Sequence, residues 1–299
     1  MRRTQKPLAA TSVVFSIIAL LAAGCGNGAG TSTTPAATPS GVGSIAAQVP
    51  GAIKAKGTLT VAADATYAPN EFIGTDGHNV VGLDADLAKA LGQVLGLKVS
   101  MINATFDTII PGLASGKYNL GISSFTDTKE REKTVDFVTY FVAGTSFYVK
   151  SGGGPNIKSL ADLCGRTVAA EKGTTQQADA QDQAAKCKSA GKPSVTVQVY
   201  NDQNAVNLAL SSGRAQVAMA DSPVAAYQVK QSNGTFKLSG SPYGTAPYGI
   251  AIPKNSGMAE PVLAAVKQVM ADDTYTKILG KWGVQGGAIS NPAINAAIS

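Results

Sequence analysis

From Gly57 onward the hydrophobic positions switch repeatedly between a period of two and a period near four. Leu59, Val61 and Ala63 alternate and predict a strand ending at Asp64. Leu83, Leu87, Leu91 and Leu95 recur every four residues. With Asp84 and Asp86 at its start, where a helix dipole favours negative charge, this reads as an amphipathic helix. Residues 98–102 predict the next strand, and Phe106, Ile109, Ile110 and Leu113 a second helical face, weakened by Pro111 and stopped by Gly116. Residues 118–123 predict a third strand. The order β-α-β-α-β is that of a parallel sheet covered by helices.

Two apolar, β-rich pieces follow at 137–140 and 146–149, and SGGGP at 151–155 marks a turn. A second α/β pattern then begins. Ser159 caps a short SLADL helix, 167–170 is a strand, and Gly173, Thr174 and Thr175 lead into a polar helix reaching about Ala190. Strands at 194–200 and 216–220 flank a helix at 205–210, and the second of them closes on Asp221. Pro223 opens another helix. A strand at 248–252 and helices at 258–270 and 273–282 complete the pattern, and the last seventeen residues are small and should wrap over the surface.

Ahead of this body lie two segments of different character. Residues 1–25 have a basic start, an apolar run from Leu8 to Ala23 and then small residues, the make-up of an export signal. The run holds Thr11, Ser12 and Ser16 and is short for a permanent span. Residues 26–54 are Gly, Ser, Thr, Ala and Pro with almost no large apolar side chains, which predicts a flexible tether.

With 299 residues the chain can form two cores. Its net charge is +6, but without Arg2, Arg3 and Lys6 there remain 22 basic against 19 acidic residues and no basic cluster, so no nucleic-acid partner is expected. One histidine, His78 in a TDGHN turn, argues against a histidine-based metal site and against a Ser-His-Asp triad. Cys164 and Cys187 are a pair in a chain with an export signal and are expected to form a disulfide, closing a loop worth roughly 3 kcal/mol. Two separately buried thiols are the alternative.

The chemistry concentrates in LGISSFTDTKER, residues 120–131. Ser123, Ser124 and Thr126 stand at the tip of a strand, and Arg131 follows one helical turn into a charged segment. Hydroxyls and helix N–H groups can receive an anion, and an arginine can complete the grip with two parallel hydrogen bonds. The alternative is a plain helix cap with a solvated arginine. Asp221 at its strand end has a similar double reading, as a ligand group or as a cap for SPVAAY.

Five stretches, VAADATYAPNEF, VVGLDADLAKALG, IIPGLASGKYNLGISSFTDTKERE, VAAEKGTTQ and VAMADSPVAAY, occur in register within the roughly 226 residues from Gly57 to Trp282. In them the chain resembles the polar amino-acid-binding proteins of bacterial ABC importers, the receptors for histidine, for lysine, arginine and ornithine, and for glutamine. LAAGC at 21–25 likewise resembles a lipobox, which implies a lipid anchor on Cys25, with an ordinary signal cleavage as the alternative. The resemblance implies an α/β, two-lobed periplasmic-binding-protein-like fold with two hinge crossings and a ligand cleft between the lobes. Lobe one would be 55–145 plus 247–299 and lobe two 146–246.

Carried onto these motifs, Arg131 grips the ligand carboxylate with Ser123, Ser124, Thr126, Thr174 and Thr175, and Asp221 takes the ammonium. Tyr67 and Phe106 form apolar walls, and Asp64 and Glu171 set side-chain specificity. Two carboxylates there favour a cationic amino acid. If Lys172 faces inward instead, glutamine or another neutral polar ligand fits better. Asn70 stands where the family more often has an aromatic. The resemblance implies a monomeric, non-enzymatic receptor without cofactor or metal, exported and lipid-anchored at the outer face of the cell membrane, that passes a free amino acid to an ABC permease. The competing function is a lyase or dehydratase on the same fold, for which Glu171 is the sole candidate acid or base.

Overall fold

The computed structural model describes residues 42–298. The export signal, Cys25 and the first part of the tether lie outside the described residues. Described structure begins with α1 (Val42–Gln48) and α2 (Gly51–Lys56), where a tether to residue 54 was expected. That expectation is corrected by burial: Ile45 and Val49 are 8% and 3% exposed within the main core, and Ile53 packs against it. Ile45 lies on α1, Val49 in the connection after it and Ile53 on α2, and the main core receives all three.

β1 (Thr58–Ala63) follows, then a small antiparallel sheet of β2 (Thr66–Tyr67), β3 (Glu71–Ile73) and β4 (Val80–Val81) that the hydrophobic pattern does not reveal. α3 (Leu83–Leu95) buries Leu83, Leu87, Leu91 and Leu95 along one face, as their spacing demands. β5 (Lys98–Asn103), α4 (Phe106–Ala114) and β6 (Leu120–Gly121) complete the first unit, with β5 and β6 parallel to β1 on its two sides. α4 continues through Pro111. α5 (Lys129–Glu132) is a single turn, capped by Thr128.

β7 (Val135–Lys150) is one strand of sixteen residues, not two pieces. In the second unit, β8 (Thr167–Glu171), α6 (Thr175–Ser189), β9 (Thr196–Tyr200), α7 (Gln203–Ser212), β10 (Val217–Asp221) and α8 (Ser222–Gln231) alternate, with β9 and β10 parallel to β8. β11 (Phe236–Pro253) then runs antiparallel to β7 from Phe236 opposite Lys150 to Pro253 opposite Val135. Its first part is invisible in the sequence because Gly and Pro in SGSPYGTAP read as turn. The pairing tolerates them through register shifts between Ser239 and Tyr243 and between Tyr243 and Ala246. α9 (Ala259–Ala271) and α10 (Thr274–Trp282) pack back on α3, and α1 packs on α3 and α9.

The main sheet has the order β5-β1-β6-β11-β7-β10-β8-β9, so the two long strands run between two parallel α/β halves. Each half has its own core. One gathers α1, α3, α9 and the β1 side, and the other gathers Phe147, Leu163, Val168, Ala180 and Met219. A third cluster, from Phe106 and Phe125 to Val206 and Ala218, joins them. Cys164 and Cys187 form a disulfide with Cα atoms 5.7 Å apart, tying the turn before β8 to α6. Among the described residues no helix is long and apolar enough to cross a membrane.

Candidate functional site

The C-terminal tips of β6, β8 and β10 face one tight cavity with about 20 Å³ of free space between its walls. Tyr67, Phe106, Ser124, Thr126 and Arg131 line it from one half, and Thr174, Thr175, Gln176, Gln203, Ala220, Asp221 and Val224 from the other. Eight of the residues singled out in the sequence therefore line one cavity: Tyr67, Phe106, Ser124, Thr126, Arg131, Thr174, Thr175 and Asp221.

Arg131 is held by backbone from both halves. Its Nη1 donates to the Thr126 carbonyl at 2.8 Å and its Nη2 to the Gly173 carbonyl at 3.0 Å, a bond that reaches across to the other half. The guanidinium lies 5.2 Å from the Phe106 ring centroid and 5.5 Å from that of Phe125, two rings stacked 4.5 Å apart. Burial lowers its pKa to about 10, so it is charged throughout the physiological range. Five N–H donors less two leave three for a carboxylate.

The start of α6 supplies further donors. Thr174 accepts from the Gln177 N–H as cap, and its carbonyl accepts from Ala178. The N–H groups of Thr175 and Gln176 have no such partner within the helix, and both residues line the cavity. Gly173 at φ +79° brings backbone against α4, where a Cβ would meet that of Asp107 at 3.0 Å.

Asp221 sits at the N-cap position of α8 but makes no capping bond. Its Oδ1 accepts from Gln176 Nε2 at 2.7 Å, and Gln176 also donates to Thr145. Burial pushes the carboxyl up to about 6, against the pull of the Tyr248 hydroxyl, Gln176 and Arg131. The Tyr248 hydroxyl is close enough to act electrostatically yet makes no hydrogen bond to a described residue.

Three expected ligand residues stand off the cavity wall. Asp64 is 2% exposed, and its oxygens accept from the Thr66 hydroxyl and the Phe106 N–H, so it caps α4 from a distance. The Ser123 hydroxyl donates to Glu71 and accepts the Asp64 N–H. Glu171 is 1% exposed, but neither of its oxygens, nor the neighbouring Tyr67 hydroxyl, has a hydrogen-bond partner among the described residues. Burial, then the charge of Asp64, pushes its carboxyl up to about 10. Lys172 turns outward and pairs with Asp107 at 2.8 Å, so it does not neutralise Glu171.

Asn70 is buried beneath the site, not on its rim, and donates to Ser124 Oγ at 2.9 Å. Ser124 is also fixed by Asp84, which accepts its N–H, and by Glu71, which accepts its hydroxyl. Together they hold it at φ 49°, a conformation that costs a non-glycine residue energy and marks a constrained site. Burial, then the Asp84 charge, raise the Glu71 pKa well above the ordinary carboxyl range. Gln176 and Gln203 were missed. Gln176 ends the VAAEKGTTQ stretch and could have been counted there, whereas nothing local singles out Gln203.

This architecture is that of a two-lobed solute-binding protein. More narrowly, the chain belongs to the bacterial extracellular solute-binding proteins, family 3, whose sequence profile matches residues 59–285. It is 32% identical over 258 residues to the arginine-binding protein ArgT of Corynebacterium glutamicum, covering 86% of this chain and 84% of that one. An ancestral arginine-binding protein bound to arginine superposes with a TM-score of 0.69 at 40% identity, over 76% of this chain and 98% of that one. An ancestral arginine-binding protein bound to glutamine superposes with a TM-score of 0.70 at 39% identity over the same shares. The relatives are transport-binding proteins, and this chain is likewise a binding protein, not an enzyme.

Proposed function

We propose that the protein captures a free polar amino acid, preferably one with a cationic side chain, and hands it to an ABC permease. The observation that supports this most directly is that Arg131, the α6 N-terminus and Asp221 line one small cavity, Arg131 from one half and the other two from the other. A zwitterion leaving water needs both charges met, and these groups are the minimum that can meet them. Tyr67 and Phe106, edge to face at 5.8 Å, would flank the ligand's aliphatic stem. Glu171, with Asp64 behind it, gives the far end a net acidic character that favours a guanidinium or ammonium. Under this reading the halves close as lobes, 55–145 with the chain beyond 247 against 146–246, about the register shifts in β11. Export, lipidation at Cys25 and a monomeric receptor at the outer face complete the proposal.

A neutral Glu171 could instead donate to an amide oxygen, which keeps glutamine as the second reading. Thermal-shift and calorimetric screening of residues 26–299 against the twenty amino acids, ornithine and citrulline tests both. Cationic amino acids should raise the melting temperature in a concentration-dependent way, and Arg131→Ala should weaken binding by about a hundredfold. If no amino acid shifts the transition, the receptor reading fails. If acidic ones shift it most, the cationic preference fails. Recovery of the ligand chemically unchanged after incubation separates a receptor from a lyase.

A further inference from the structure

We infer that residues 292–297 are a clamp that positions Arg131, so that ligand affinity depends on a segment outside the cavity. The inference rests on the reading of Arg131 as the carboxylate ligand. Arg131 lies on α5, a single turn of four residues, which has no stability of its own in water. Within the turn, the Thr128 hydroxyl accepts the Arg131 N–H at 3.2 Å and its carbonyl the Glu132 N–H, while the Lys129–Glu132 and Lys133–Glu130 surface pairs add little. From outside, the Asp127 N–H donates to the Pro247 carbonyl, and the far end of the chain adds two further bonds.

After α10 the chain returns along the edge of β7. The Thr139 N–H donates to the Ala293 carbonyl, and the Ala293 N–H to the Thr139 hydroxyl, both at 2.9 Å. Asn295 then brackets the backbone of Phe137. Its N–H donates to the Phe137 carbonyl at 3.0 Å, and its Oδ1 accepts the Phe137 N–H at 2.8 Å. Its Nδ2 donates to Asp136 at 3.0 Å. From that anchor the next two residues reach the Arg131 turn from both sides. The Ala296 N–H donates to Asp127 Oδ2 at 2.8 Å, and the Ala297 N–H to Glu132 Oε1 at 3.1 Å.

Asp127 precedes α5 and Glu132 is its last residue, so these two bonds fix its beginning and its end. Asp127 is fully buried, and its other oxygen has no hydrogen-bond partner among the described residues. Loss of Ala296 would leave a buried carboxyl without that donor, a cost relieved by the loop moving toward water. The loop includes Thr126, whose carbonyl holds Arg131 Nη1. The tail therefore acts on the guanidinium through two successive contacts without touching the cavity.

The test compares the full chain with one ending at Ser290 and with Asn295→Ala, reading L-arginine affinity by calorimetry and amide exchange over 126–133. Both variants should weaken binding by about tenfold, the scale of one charge-assisted hydrogen bond, and speed exchange in that stretch. A synthetic peptide of residues 288–299 should partly restore the truncated chain. Unchanged affinity with only a lower melting temperature would overturn the clamp and leave a merely structural strap. If truncation prevents folding, Asn295→Ala decides. If the intact chain binds no amino acid, the receptor reading has failed separately, and exchange over 126–133 alone decides whether the tail holds the turn.

Discussion

Glu171 has two buried oxygens without hydrogen-bond partners among the described residues and a carboxyl pushed up to about 10 by burial and by Asp64. In the empty protein it is therefore neutral at pH 7. Binding a cation beside it favours the carboxylate, so a proton must leave, and affinity should rise with pH by up to about tenfold per unit. Below about 6, Asp221 also carries a proton that an incoming ammonium must displace, so acidification steepens the loss. Calorimetry of L-arginine in buffers of different ionisation enthalpy should show net proton release at pH 7. Glutamine should show none from this group. Glu171→Gln should abolish the release and move preference toward neutral ligands, and an unchanged proton count in that variant would remove Glu171 from the specificity site. The sequence offered Glu171 and Lys172 as rivals for the pocket. Adjacent residues at the end of a strand point to opposite sides, and only the packed structure says which side is inside.

At the scale of elements, the helical period of α3 and the strand periods of β1 and β8 could be read directly, because each buries one face against one partner. α1 could not, since a helix of seven residues is too short to be stable by itself and shows less than two turns of period. Its order comes from docking Ile45 and Val49 on α3 and α9. Ile45→Ala with Val49→Ala should cost about 3 kcal/mol of stability in denaturant titration, with amino-acid affinity unchanged. A tether would show no loss. β11 illustrates the opposite failure, a long strand hidden because its glycines and prolines are accommodated by register shifts against β7.

Over the whole molecule, the polar contacts between the halves around the cavity mouth include Arg131 with the Gly173 carbonyl, Lys172 with Asp107, and the Gln203 N–H with the Thr66 hydroxyl at 3.2 Å. The Lys172 side chain is 56% exposed, so its ion pair contributes at most about 1 kcal/mol and is screened by salt. Gly173 differs, since a side chain there meets both a positive φ and the Asp107 Cβ. Lys172→Ala should thus weaken ligand binding by less than about fivefold, and Gly173→Ala by far more. Equal effects in titrations at low and high salt would contradict this ranking.

The sequence by itself determined the alternation of elements, the paired cysteines and most of the cavity-lining residues, because periodicity and turn chemistry are local and the family motifs keep their order. Tertiary structure alone decided that Asp64 and Ser123 support the site from behind, that Glu171 turns inward, and that residues 42–56 and 292–297 belong to the folded body. Each of those outcomes depends on which groups meet across 42 to 169 residues of chain, and burial and hydrogen-bond satisfaction are properties of that meeting.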